Sequence, residues 1–180
     1  MIKHLLRMGI KKFSARYSYD ASYMSHVVDH STSAGLRLLA LPLYGQFRGP
    51  EKALGIWAGA VVASTMEGDC GPCVQLVVDM ALEAGVPAGQ IELCLQGRAA
   101  EAGQMGLGFR FAQAAIADLP ELEALRHEIE KGFGPEAVIA ASFAASSGRV
   151  YPVLKRGLDY GHTCSRVSIE NRMIEVAHQT

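Results

Sequence analysis

The sequence predicts an all-α fold in one domain spanning residues 1–180. Most segments repeat apolar residues at helical spacing, and no set of strands with period-two alternation stands out. With 180 residues, 49% of them hydrophobic and 19% charged, the chain can bury one real core and is not disordered.

Taken in order, Met1 to Lys12 is a short basic amphipathic piece with Ile2, Leu5, Leu6 and Ile10 at helical spacing. Residues 1–50 together read as an N-terminal extension that packs on the body or on a neighbouring subunit. Ser14 to His30 is polar and aromatic. His26, Asp29 and His30 would share one helical face, a spacing that can hold a metal, but surface or interface histidines are the expectation and no metal site is predicted. The apolar run of Ser31 to Phe47 breaks at Pro42. Glu51 to Met66 is apolar on every side and reads as a buried helix, with Val61-Val62 as its one strand-like part.

A second helix is expected to end at Ala84, closed by Gly85-Val86-Pro87 with the glycine as a left-handed cap. Pro87 to Leu95 starts a short helix that places Cys94 in the core. Gln96 to Gly108, with four glycines, reads as a loop or a loosely helical connection. Phe109 to Leu119 is helical, and Pro120 to Lys131 is amphipathic through Leu122, Leu125 and Ile129, with His127 facing solvent. A further helix starts at Glu136. Ser146-Ser147-Gly148 either interrupts it or lets a second helix pack closely, and Tyr151-Pro152 is a possible kink. His162 and Cys164 read as loop residues. In the polar tail, Ile169, Met173, Ile174 and Val176 are candidates for gripping a partner.

The stretch Glu67-Gly68-Asp69-Cys70-Gly71-Pro72-Cys73 carries the chemistry. Its C-x-x-C falls where Val74 to Ala84 begins an unbroken helical run. Pro72 suits a first turn, where its missing N–H has no intrahelical partner, and Asp69 is placed to cap. Cys70 and Cys73 then lie at the positive end of a helix dipole, which favours the thiolate, the nucleophile in disulfide exchange and in attack on peroxides. Other readings stay open: small buried apolar residues, or half of a zinc site, although no second C-x-x-C or H-x-x-x-H follows. Glu67 is the nearest acid and a candidate proton shuttle; otherwise it is an ordinary acid before a helix.

Composition narrows the function classes. A net charge of -1 gives no electrostatic reason to expect nucleic acid or an anionic membrane as partner. No signal-peptide pattern and no run of about 18 apolar residues is evident, so a cytoplasmic, reducing setting is expected and no membrane span. There a C-x-x-C is more often catalytic than structural.

These parts, from Glu51 to Tyr160, resemble the carboxymuconolactone decarboxylase / alkylhydroperoxidase D (AhpD-like) family. The resemblance is carried by the apolar helix ending in VVASTMEGD, the Cys70-Gly71-Pro72-Cys73 turn, the A-L-E-A-G-V-P segment at Ala81 to Pro87, the short helix at Gln90 to Leu95 and the F-A-Q-A helix at Phe109 to Leu119. It implies an all-α fold assembled into homo-oligomers, trimers or hexamers. It also implies a dithiol that reduces peroxides without a bound cofactor and is re-reduced by a partner, with Cys73 attacking and Cys70 resolving. Helix-terminus geometry alone instead favours Cys70 as the more exposed and better stabilised thiol, so both assignments stay open. The chain departs from the peroxidase-type pattern at three places: Ala58 stands where those members have a Glu, and Pro72 and Val77 where they have His. That relay would deprotonate the thiol and protonate the leaving alkoxide.

The expected function is therefore a thiol-dependent redox protein, an AhpD-like alkylhydroperoxidase or disulfide reductase acting on a small peroxide or disulfide through Cys70 and Cys73, with the reducing partner unspecified. The alternatives are a non-catalytic helical oligomer with a vestigial or structural C-x-x-C, and a thioredoxin-like oxidoreductase. C-G-P-C is the motif of the thioredoxin family, and Val61-Val62 and Tyr151-Pro152-Val153 would be its strand and its facing proline. A lactone decarboxylase-like relative is disfavoured, because those members usually lack the dithiol and use a histidine with no evident counterpart here.

Overall fold

The structure, a computed structural model, describes residues 2–161 and 166–177; His162 and Cys164 lie outside the described residues. Helices dominate: α1 (Ile2–Tyr17), α2 (Ser22–His30), α3 (Thr32–Ala40), α4 (Pro42–Gly45), α5 (Leu54–Glu67), α6 (Gly71–Glu83), α7 (Ala88–Leu95), α8 (Gly103–Ala117), α9 (Leu122–Phe133), α10 (Pro135–Ser147) and α11 (Val150–Gly157). One antiparallel hairpin follows, β1 (Arg166–Ile169) and β2 (Arg172–Glu175), with Val167 opposite Ile174.

The centre is α5, buried without a break from Ile56 to Thr65. A helix that is apolar on all sides belongs inside, and this one is covered by α8, α10 and α6. The α5–α8 contact is made by glycines. A methyl group at Gly59 would fall inside the Met105 carbonyl oxygen, and one at Gly108 inside that of Ile56. Gly106 meets the Ala99 carbonyl in the same way. Of the glycine-rich stretch expected as a loop or a loosely helical connection, Gly103 to Gly108 form the first turns of α8, because small residues here let two backbones touch. α10 adds a face of alanines, Ala137, Ala140, Ala141, Ala144 and Ala145, all buried. Gly148 abuts Ser64 and Thr65, so Ser146-Ser147-Gly148 is a close-packing site.

The helical run Pro135–Gly157 is long and apolar enough to cross a bilayer by length and composition alone, although it holds no unbroken run of 18 apolar residues. Here its alanine face is buried against α5, α8 and α9.

The buried helix expected within Glu51 to Met66 is α5, with Val61-Val62 in its middle; the only sheet among the described residues is the two-stranded hairpin, which removes the thioredoxin-like alternative. The tail grips its own chain. Val167, Ile169 and Ile174 are buried in the main core, Val176 packs beside them, and Met173 alone of the apolar set is exposed. Gln75 of α6 holds β1 by a reciprocal pair: its Nε2 donates to the Ser168 carbonyl at 2.9 Å and its Oε1 accepts from the Ser168 N–H at 2.7 Å. Glu170 and Asn171 both have positive φ, which suits a two-residue hairpin turn.

Residues 2–50 form a separate layer with its own cluster of Ile10, Tyr19, Tyr23, Met24, Val28 and Leu38. This layer packs on Leu76, Tyr151 and Leu154 of the body. Glu83 of α6 fastens it, accepting from the Tyr17 hydroxyl at 2.7 Å and pairing with Arg16. Within the layer Asp29 accepts from Arg7 at 2.8 Å and Lys3 lies close by, so the carboxylate of the histidine-rich face is already engaged. The His26 and His30 rings lie 4.2 Å apart, and no group of three potential metal ligands converges among the described residues.

Candidate active site

Cys70 and Cys73 form a disulfide across the start of α6, with Cα atoms 5.3 Å apart. Cys70 is itself the N-cap, in extended conformation, and its carbonyl accepts from the Cys73 N–H at 2.9 Å. Asp69 does not cap. It precedes the cap with a φ of 49°, and its left-handed backbone swings the chain from the end of α5 into α6. Pro72 falls in the first helical turn as expected. An N-cap side chain can accept from the second or third N–H of the helix. Pro72 has no N–H, so the Cys73 amide is the one such donor left for a Cys70 thiolate.

Neither sulfur is at the surface. Cys70 is 4% exposed and Cys73 3%, so the greater exposure expected for Cys70 is not found. What separates them is the side on which they face open space. Cys73, but not Cys70, lines a cavity of about 790 Å³ between the N-terminal layer and the ends of α5, α6, α10 and α11. Its wall is mostly apolar and aromatic, including Ile10, Phe13, Met24, Leu39, Val77 and Tyr151.

The turn before the dithiol is clasped by α11. Glu67, the last residue of α5, pairs with Arg149 Nε at 2.6 Å. Arg156 donates to the Gly68 carbonyl at 3.1 Å. Gly68 lies so close to Pro152 that a side chain there would collide with the ring. Pro152 thus wedges the loop and sits within α11. Glu67 is engaged by a guanidinium, which gives its carboxylate a structural partner beside any role in proton movement.

The residues that sequence reasoning missed come from the N-terminal layer and α11. The Tyr19 hydroxyl lies 3.7 Å from Cys73 Sγ; with the sulfur in a disulfide, the hydroxyl is the donor. Tyr19 is fixed by two bonds to Ser14: its N–H donates to the Ser14 carbonyl at 3.1 Å, and the Ser14 hydroxyl donates to its carbonyl at 2.7 Å. Beside it, Lys155 is 1% exposed, with Nζ 5.1 Å from the Tyr19 ring centroid and 5.5 Å from that of Tyr23. The two aromatic faces give the buried ammonium some of the stabilisation that water would otherwise provide.

Burial sets the proton affinities. It raises Tyr19, and Tyr23 far more, where Tyr19 adds to the effect. Tyr151 is pushed up to about 12, also chiefly by burial. Desolvation lowers Lys155, and Asp20 pulls it back towards the charged form. The arrangement is a hydroxyl on the sulfur with Lys155 behind its ring; the hydroxyl as donor, and Lys155 in its protonated form, stabilise negative charge appearing at Cys73. Tyr19, Tyr23 and Tyr151 line the cavity, and Lys155 lies behind the first two. Cys94 differs: it is wholly buried in the main core, with its thiol pushed up to about 12 by desolvation, and is a packing residue as the sequence indicates.

At the three positions of the family relay, Ala58 is buried in α5, Pro72 is in the first turn of α6, and Val77 lines the cavity. Comparison of the chain with protein-family models, curated proteins and solved structures finds no match.

Proposed function

We propose that the protein is a thiol-dependent oxidoreductase of AhpD-like type, working through the Cys70/Cys73 dithiol on a peroxide. The observation that carries this is the position of Cys73: one sulfur of a disulfide-forming pair, on the wall of a cavity, against a fixed tyrosine hydroxyl. Cys73 is the attacking thiol in this reading and Cys70 the resolving one. The Cys73 thiolate takes the terminal oxygen of a hydroperoxide; the O–O bond breaks, sulfur is oxidised to the sulfenic acid, and the alkoxide leaves as the alcohol after gaining a proton. Tyr19 stands where it can supply that proton, with Lys155 stabilising the tyrosinate left behind. Cys70 then displaces water from the sulfenic acid, forming the disulfide. In sum, dithiol and hydroperoxide give disulfide, alcohol and water. An external dithiol restores the reduced pair.

The tyrosine–lysine pair takes the part of the missing Glu and His residues, and Glu67 is left as a shuttle between this site and solvent. Exposed apolar residues on the N-terminal layer, Leu5 and Met8 on α1 and Leu43 on α4, support assembly into a homo-oligomer.

The test is hydroperoxide consumption coupled to a dithiol reductant. Wild type is expected to turn over, Cys73→Ser to be inactive, and Cys70→Ser to react once and stop at the sulfenic acid. Equal rates in wild type and both variants would remove the enzymatic reading. Exchange with disulfides but no peroxide turnover would move the function to disulfide reduction.

A further inference from the structure

The cavity has features that a buffer of unused space beside a dithiol does not need. Its volume of about 790 Å³ falls within the range of roughly 300–1,000 Å³ that holds whole small-molecule ligands. Its wall is mostly apolar and aromatic, so an apolar chain would displace poorly held water from it. Two polar groups stand out on this wall, and they differ in kind. Tyr23 is 1% exposed, and its hydroxyl leans towards the Tyr19 hydroxyl without making a hydrogen bond of normal geometry. A buried hydroxyl left in this way calls for an acceptor supplied from the cavity. Lys12 lies on the same wall at an exposed position and makes no ion pair among the described residues. Arg16, one helical turn further on, is already held by Glu83.

We infer that the cavity binds an oxygenated long-chain monocarboxylate, with the chain inside, the carboxylate at Lys12 and an oxygen function on the chain at the Tyr23 hydroxyl. The inference rests on the redox reading only in making such a ligand a substrate: an oxygen function held near Tyr23 also lies on the wall that carries Cys73. Binding itself needs no sulfur chemistry. It can be measured on a protein that has none at this site.

The experiment uses the full-length Cys70→Ser/Cys73→Ser protein and dansyl-undecanoic acid as fluorescent probe, displaced by stearate, by a mid-chain hydroxystearate and by stearyl alcohol. Saturable binding is expected, displaced best by hydroxystearate and worst by the alcohol. Lys12→Glu should weaken the carboxylates about tenfold and leave the alcohol unchanged, the loss of one charge-assisted contact. Tyr23→Phe should erase the preference for hydroxystearate over stearate while the melting temperature holds or rises. Leu39→Trp should fill the space and abolish binding; if that variant does not fold, Val77→Phe serves the same purpose. No saturable binding, or binding that Lys12→Glu and the filling variants leave unchanged, overturns the inference. Hydroperoxide turnover by wild type without probe binding would overturn the ligand site and leave the redox reading in place. Binding without turnover would do the reverse.

Discussion

The molecule joins two regions packed on opposite principles. In the body, α5 and α8 meet through Gly59 and Gly108, Gly106 meets the Ala99 carbonyl, and α10 adds a row of alanines, so that backbones touch. In the N-terminal layer, large rings do the packing: Phe13, Tyr19 and Tyr23 meet at tilted or edge-on angles, with ring centroids 5.9 and 6.4 Å apart for the pairs sharing Tyr19. Rings and leucines do not tile as closely as small residues, and the cavity lies on this seam. The dithiol stands at the boundary. Its helix belongs to the rigid body, and the hydroxyl that touches it belongs to the looser layer. Chemistry needs both: fixed sulfurs, and room for a substrate to reach them.

The sharpest way to break this contrast is to add volume on each side. Gly59→Ala or Gly106→Ala, where a Cβ overlaps a backbone oxygen, should cost about 3 kcal/mol or more in urea unfolding. Gentler additions repeat the comparison. Val62→Leu, at a fully buried site, should cost about 2 kcal/mol, and Val77→Leu, on the cavity wall, under about 0.5 kcal/mol. Equal costs at the two valines would mean that the seam is as tightly packed as the body.

On the chemical side, Tyr19→Phe should slow oxidation of the reduced dithiol by about 100-fold with little change in melting temperature. The pH dependence of stability is signed by burial. Tyr19, Tyr23, Tyr151 and Cys94 all hold their protons more tightly when folded, so their contribution is complete below their unfolded values and is lost as pH rises. For Cys94 that window runs from its ordinary value of 9.0 to about 12. Their part of the unfolding free energy should therefore fall with alkaline pH, by at most ~1.4 kcal/mol per pH unit for each such group, with Lys155, lowered on folding, acting in the opposite direction up to its ordinary value of 10.5; Cys94→Ala should flatten the part that begins near 9. The smallest effect is expected at Glu67–Arg149, a half-exposed pair: Arg149→Ala should cost less than about 1 kcal/mol.

Sequence periodicity makes the body readable and leaves the seam hidden, for physical reasons. An apolar run without charges, such as Ile56 to Thr65, has few fates besides a buried helix, and C-x-x-C before a breaker-free run marks a helix start. The glycines of α8 mislead, because a residue that breaks an isolated helix is also the one that lets two segments touch; only the partner, Ile56 for Gly108 or Ala99 for Gly106, tells the cases apart. The hairpin escapes because its two four-residue strands are short, and its turn uses Glu170-Asn171 without glycine. Tyr19 and Lys155 are beyond sequence reasoning altogether. Tyr19 is far from Cys73 in the chain, and an ordinary tyrosine and lysine carry no spacing that announces them. Lys155, in the basic last turn of a short helix, looks like a solvated charge, and only the fold buries it between two rings.

The most direct measurement of the central claim is single-turnover oxidation of the fully reduced protein by one equivalent of an organic hydroperoxide, with sulfenic acid and disulfide products mapped by mass spectrometry. The account predicts a Cys70–Cys73 disulfide in wild type, a sulfenic acid on Cys73 in Cys70→Ser, and an unmodified Cys94 throughout. Oxidation confined to Cys70 in Cys73→Ser, or a reduced pair that survives the oxidant while Cys94 reacts, would contradict it.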